Sequence, residues 1–331
     1  METLKFAINV IFPIILPIFL GYFLKKVGFF TEDWLKMGNK LVFKICIPCL
    51  MFINIYNIES FSEINWTVVI YTEIITLILF LLGIALVKLT IPDNRQKGVV
   101  LQCVLCSNFG IIGISLAEAL GGSAAVGMAA VIGAFASPTI NILSVIALTM
   151  FLKGEDGKRV DFKHLLKGIA TNPLILGVLC GLVALALRSL IPNFTIKSNL
   201  TFLYTTLSNI SKITSPLALI ICGGLFNFNS IKTMKKQIIV ATAARVVVVP
   251  FLVISIAILL TNLTQTIRFG PEVYPAFLAL FAPPVAVSSA IVAQEMDNDG
   301  ILAGQLVVWT SIASMFTLFL FIFMLRTMGL L

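Results

Sequence analysis

Apolar runs long enough to cross a bilayer recur from one end of this chain to the other, with only short polar linkers between them. A membrane-spanning helix needs roughly 20 such residues. Runs of that order lie at 6–24, 38–57, 66–88, 98–118, 124–152, 165–190, 200–226, 236–262, 273–296 and 300–328, and the longest polar linker, Lys153 to Lys163, joins the fifth to the sixth. That pattern leaves no room for a soluble domain and predicts an all-α integral membrane protein of ten transmembrane helices. Composition agrees, since 59% of residues are hydrophobic and 11% are charged, against about 25% charged in a soluble domain. The first run is followed by Lys25 and Lys26 and preceded by Lys5 alone. A cleaved signal peptide carries its positive charge mainly before the apolar run, so this run is expected to stay as a helix.

The basic residues orient the chain. With the amino terminus outside, the cytoplasmic segments hold fifteen lysines and arginines, among them Lys36, Lys40, Arg95, Lys158 and Lys235, and the outer segments hold five: Lys5, Arg188, Lys197, Arg268 and Arg326. Cytoplasmic loops carry an excess of such residues, so both termini are expected outside the plasma membrane. The net charge of +8 then needs no nucleic-acid partner. The six cysteines, Cys46, Cys49, Cys103, Cys106, Cys180 and Cys222, lie in apolar surroundings, unlike a secreted disulfide framework. Two pairs have metal-type spacing, but the sole histidine, His164, belongs to a basic loop. The cysteines are read as packing residues, with no metal or cofactor expected.

Two runs carry faults that an unbroken lipid-facing helix would not. In the fourth, Ser107-Asn108 precedes Gly110 and Gly113. Glycine lowers helix propensity by about 1 kcal/mol, and an amide in hydrocarbon is costly without a partner. In the ninth, Pro283-Pro284 removes two backbone donors in mid-span and Ser288-Ser289 follows. Paired interrupted helices point to a transporter's binding site. The halves also echo one another: Lys44-Ile-Cys-Ile-Pro48 recurs as Lys212-Ile-Thr-Ser-Pro216, 168 residues later, and the interrupted runs end in Glu118 and Glu295. Five spans is an odd number, so the two repeats, 1–155 and 156–331, must be inverted relative to one another.

Asn108-Phe-Gly-Ile-Ile-Gly-Ile, Asn172-Pro-Leu-Ile-Leu-Gly177, Arg245-Val-Val-Val-Val-Pro250 and Pro283-Pro284 with Gln294 resemble the auxin efflux carrier family over essentially the whole chain. The short central loop resembles the bacterial branch, which includes malonate and malate permeases. The wider fold is similar to that of the bile acid/sodium symporters. This resemblance implies a panel of helices 1, 2, 6 and 7 and a core of helices 3–5 and 8–10, with interrupted helices 4 and 9 crossing in the core and an elevator movement of the core along the panel. Two departures stand out. Ser115 occupies the place of a proline common after the asparagine motif, and Glu73 matches an acid of the plant carriers whose lysine partner is here Leu77.

These readings converge on a secondary transporter of small organic anions, mono- or dicarboxylates such as malonate or malate. Half-helices restarting after each break present unpaired N–H groups and about half a positive charge. Ser107, Asn108, Gly110, Gly113, Pro283, Pro284, Ser288 and Ser289 would line the site, with Phe109, Ile111 and Phe281 round an apolar body. Asn108 either touches substrate or bonds a carbonyl freed by the break. Arg245, about 15 Å into its helix at 1.5 Å per residue, either pairs with Glu73 or acts directly. Glu118, Gln294 and Glu295 are candidates for proton or sodium handling or simply solvated helix ends, and Lys44 and Lys212 for guarding the openings or snorkelling to the interface. No nucleophile–base set or metal triad lies at depth, so an enzyme is not expected. A sodium-coupled symporter of a larger amphipathic anion, and a transporter-like receptor or channel, are the alternatives. H+ or Na+ coupling and a homodimer both remain open.

Overall fold

A computed structural model describes residues 2–57, 65–152, 171–191, 195–226, 230–263 and 269–331. The basic linker from Lys153, His164, Arg268 and the 155/156 repeat boundary lie outside the described residues. Among those described, the chain is helical, and the sole β-type pairing is one antiparallel bridge, Ser107 to Val285. The main helices are α1 Glu2–Lys26, α2 Glu32–Tyr56, α3 Trp66–Thr90, α4 Asn94–Leu105, α5 Ile114–Thr149, α6 Pro173–Leu190, α7 Thr201–Leu225, α8 Lys235–Leu263, α9 Val273–Phe281, α10 Ser288–Glu295 and α11 Gly300–Thr327. Five of these, α2, α3, α5, α8 and α11, are long and apolar enough to cross a membrane. The fourth and ninth sequence runs fall short because each is broken: α4 has 12 residues, and α9 and α10 have 9 and 8.

Local sequence explains the irregularities. Within α2 and α8 the backbone widens to a π-turn at Val42–Cys46 and Ala244–Val248. In both, a proline, Pro48 or Pro250, stands two residues beyond. Proline offers no N–H and its ring clashes with the carbonyl four residues back, and a π-turn is a local way to absorb that strain without ending the helix. Between the restarted fourth run and the fifth, Gly122 adopts φ 60°, ψ −152°, a conformation open essentially to glycine alone. It breaks α5 into two helical segments that meet at a sharp kink, so the two expected runs stay distinct.

Two groups of helices pack mainly among themselves. In one, α1 lies on α7 and α2 on α6 and α7. Gly21 meets the Ile220 backbone and Gly223 meets the Ile18 backbone, a reciprocal contact in which any side chain would strike a carbonyl. Small residues of this kind let membrane helices pack at close range where no hydrophobic drive exists between them. In the other group, α5 packs against α4, α9 and α3, while α11 lies along α10 and α8. Tyr71, Phe269 and Phe277 form an aromatic cluster there, with ring centroids 5.0 to 5.4 Å apart. The Tyr71 hydroxyl donates to the Val253 carbonyl.

Candidate functional site: the crossing of two broken helices

The breaks meet. α4 stops at Leu105, Cys106 and Asn108 leave the helical region, and the chain restarts as a π-turn at Phe109–Gly113 whose first acceptor is the Asn108 carbonyl, bonded by Ile112 N at 3.0 Å and Gly113 N at 3.3 Å. On the other side α9 stops at Phe281, and Pro283-Pro284 prevents its continuation. The freed backbone groups then satisfy each other. Asn108 N donates to Pro284 O at 2.8 Å, Ala286 N donates to Cys106 O at 3.1 Å, and Val285 N donates to Thr310 Oγ1 of α11 at 3.1 Å. Irregular backbone is tolerated at membrane depth only where such partners exist.

Arg245 holds the crossing together. It is 0% exposed. Its Nε donates to Pro283 O at 3.0 Å, one terminal nitrogen to Val104 O at 2.8 Å and Leu105 O at 3.3 Å, and the other to Phe281 O at 3.1 Å and Leu280 O at 3.5 Å. Four of these are the last carbonyls of α4 and α9, and the fifth, that of Pro283, lies just beyond α9. Each helix C-terminus carries about half a negative charge, so two of them offset one guanidinium. The planar fork, with donors at fixed angles, can serve two helix ends at once. Of the two readings of Arg245, the pairing with Glu73 is not the one seen: the arginine's donors go to carbonyls, and Glu73 Oε1 is buried without a hydrogen-bond partner, its carboxyl lying beside Thr139. A carboxylate is not needed where the carbonyls already supply the charge.

The half-helices that restart begin without a side-chain cap, as α7, α8 and α9 also do. Six helices starting at Thr31, Asn65, Asp93, Asn172, Thr195 and Asp299 have a side-chain oxygen bonded to an N-terminal amide. At the crossing, neither Asn108 nor Val287 provides such a cap. Asn108 is 6% exposed, and its Nδ2 is buried with no hydrogen-bond partner. Native proteins rarely leave a buried donor unsatisfied, and one that persists asks for an explanation. Ser107 and Ser288 are half-buried, Ser289, Pro283, Pro284 and Phe281 are buried, and the Phe109 ring packs over Gly133. The two glycines do different things. Gly113 abuts the Ala279 carbonyl, whereas Gly110 is exposed, with nothing within 4 Å of where a Cβ would lie.

The remaining candidates are dispersed. Glu118, Lys44 and Lys212 are exposed. Gln294 and Glu295 sit at the far end of α10, where Asn39 Nδ2 of α2 donates to Glu295 Oε1 at 2.7 Å. Asn39 and Thr310 were not singled out from the sequence: an amide in the first part of α2 and a threonine in α11 carry no local signal of their partners.

A family model described as membrane transport protein, that of the auxin efflux carrier family, matches residues 6–322. This chain belongs to that family. An uncharacterised transporter of Methanocaldococcus jannaschii is 28% identical over 256 residues, 73% of this chain and 76% of the relative. As a membrane transport protein with several apolar spanning helices, the chain is a multi-pass membrane protein whose partners are the lipid bilayer and a transported substrate.

Proposed function

We propose that this carrier moves small organic anions, mono- or dicarboxylates such as malonate or malate, and binds them where the restarted turn leading into α5 and the start of α10 face each other across the crossing. The observation that carries the reading is the pair of uncapped half-helix N-termini beside the unpartnered Asn108 Nδ2. All three are donors, and donors with a partial positive charge suit a carboxylate. Ser107, Ser288 and Ser289 add hydroxyls, and Gly110 leaves the approach open. Arg245 acts through the scaffold, holding the preceding half-helices so that the following ones present their amides.

An inverted-repeat architecture accounts for two further contacts. An antiparallel bridge is what two equivalent breaks related by an in-plane two-fold axis would make, and Ser107–Val285 is such a bridge. Thr214 Oγ1 donates to Cys46 O at 3.1 Å across a separation of 168 residues, the spacing of the Lys-to-Pro repeat, as expected of equivalent positions beside the axis. In this reading α1, α2, α6 and α7 are the fixed panel and the rest is the core, which carries the anion across by an elevator movement, with H+ or Na+ as coupling ion. Both termini lie outside the plasma membrane.

Counterflow in proteoliposomes tests the function. Vesicles loaded with unlabelled malonate should accumulate labelled malonate or malate transiently, and a cationic analogue should not compete. Saturable binding without exchange would make the protein a receptor, and conductance without counterflow a channel. Either result overturns the carrier reading.

A further inference from the structure

The far end of α10 carries a second site of opposite character. A cavity of about 10 Å³, enough for one water-sized guest, is lined by Asn39, Cys222, Leu225, Ala290, Ile291, Gln294, Gly300 and Gly304. Asn39 is 0% exposed. Its amide nitrogen faces Glu295, since an ionised carboxylate only accepts, and its Oδ1 is therefore the atom left buried without a hydrogen-bond partner. Among the described residues no lysine or arginine pairs with Glu295. The nearby Arg95 is engaged by the Asp297 and Asn298 carbonyls at 2.7 and 3.4 Å. The C-terminus of α10 adds carbonyl dipoles of negative sign, its last turn closing through Asp297 at φ 57°. An orphan oxygen, a carboxylate without a basic partner and a helix C-terminus all favour positive charge.

We propose that Asn39, Gln294 and Glu295 form a binding site for one small monovalent cation, of sodium size. A single carboxylate with amide oxygens suits a charge of +1, whereas divalent ions typically recruit several carboxylates or keep much of their water shell. The site joins the two helix groups, because Asn39, Cys222 and Leu225 come from α2 and α7 while Gln294, Gly300 and Gly304 come from α10 and α11. Bound cation would tie them in the arrangement described here. This deepens the proposed function by placing the coupling ion, but the site stands without any organic anion.

The test is thermal unfolding of the purified protein in detergent, without organic anion, in sodium, potassium or choline chloride at equal ionic strength. A ligand specific for the folded state raises apparent stability with its concentration. Sodium should raise Tm saturably over choline. Glu295→Gln should move the half-maximal sodium concentration up by about tenfold or more, as expected for loss of a charged ligand. The exchange Asn39→Asp with Glu295→Gln, which restores one carboxylate and one amide, should recover the response. Gly304→Ala, whose methyl would meet Cys222 Sγ at an ordinary 3.6 Å, should weaken sodium binding while leaving Tm in choline unchanged. The proposal is overturned if Tm is the same in sodium and choline, if Glu295→Gln and Gly304→Ala respond to sodium like the parent, or if acidification alone reproduces the shift. Counterflow that succeeds while the sodium shift is missing would remove this site and leave the anion reading standing.

Discussion

Asn108→Ala separates binding from stability in a way that most substitutions cannot. The Nδ2 donor makes no hydrogen bond within the protein, so its removal forfeits no intramolecular bond. A buried unsatisfied donor costs about 1–3 kcal/mol, and deleting it relieves that cost against the packing lost with a side chain that is 6% exposed. The backbone role is untouched, because Asn108 N and O, which bond Pro284 O and Ile112 N, remain. Tm of the variant in detergent should therefore equal or exceed that of the parent. Binding should move the other way. A hydrogen bond to a charged group is worth about 1.5–3 kcal/mol, and 1.4 kcal/mol is tenfold in affinity, so the dissociation constant for malonate or malate should rise about ten- to a hundredfold. Ligand-induced thermal shift measures both quantities on one sample. A variant that unfolds at lower temperature yet keeps parental affinity would refute the reasoning, since Asn108 would then be a structural amide.

Arg245→Lys keeps the charge but cannot reach the ends of α4 and α9 together, and losing two charge-assisted bonds should cost on the order of 3 kcal/mol. Tm in detergent should fall markedly, while Lys44→Gln and Lys212→Gln, at exposed positions, stay within about 0.5 kcal/mol of the parent. Gly113→Ala should lower Tm by driving a methyl into the Ala279 carbonyl, and Gly110→Ala, which meets nothing within 4 Å, should leave Tm unchanged and impair anion binding. Ligand titration beside unfolding distinguishes the two. Cysteines introduced in a Cys-free background should be labelled from the cytoplasm at position 158 and from outside at position 197, and the reverse pattern would invert the proposed topology.

The breaks were legible because their causes are side chains: Pro283-Pro284 lacks donors and Ser107-Asn108 with two glycines disfavours a helix. Their meeting was legible only through family resemblance, since the contacts that join them run through backbone groups that every residue possesses. The same limit applied to Arg245. Its depth pointed to a role, but its partners are carbonyls, which have no sequence signature, and Glu73 was the nearest candidate that a sequence can name. Asn39 and Glu295 are 256 residues apart, and neither flags the other. The separation of the fourth and fifth runs was legible in Gly121-Gly122, and the structure puts the kink between the two helices at Gly122, in a conformation open essentially to glycine.

The position of Arg245 also constrains how the chain is made. Its α4 acceptors, Val104 and Leu105, leave the ribosome well before it, but Leu280, Phe281 and Pro283 follow 35 to 38 residues later. During that interval α8 presents to the insertion machinery an arginine with two of its five final acceptors, at a depth where an unpaired charge costs about 2.5–3.5 kcal/mol on insertion scales. The helix should therefore enter the lipid late, once the ninth segment has emerged. Nascent chains truncated before residue 281 should leave α8 poorly integrated, and chains extended beyond residue 283 should integrate it fully. Glycosylation mapping of such truncations would show the step, and full integration of the shorter chains would show that α8 inserts without help.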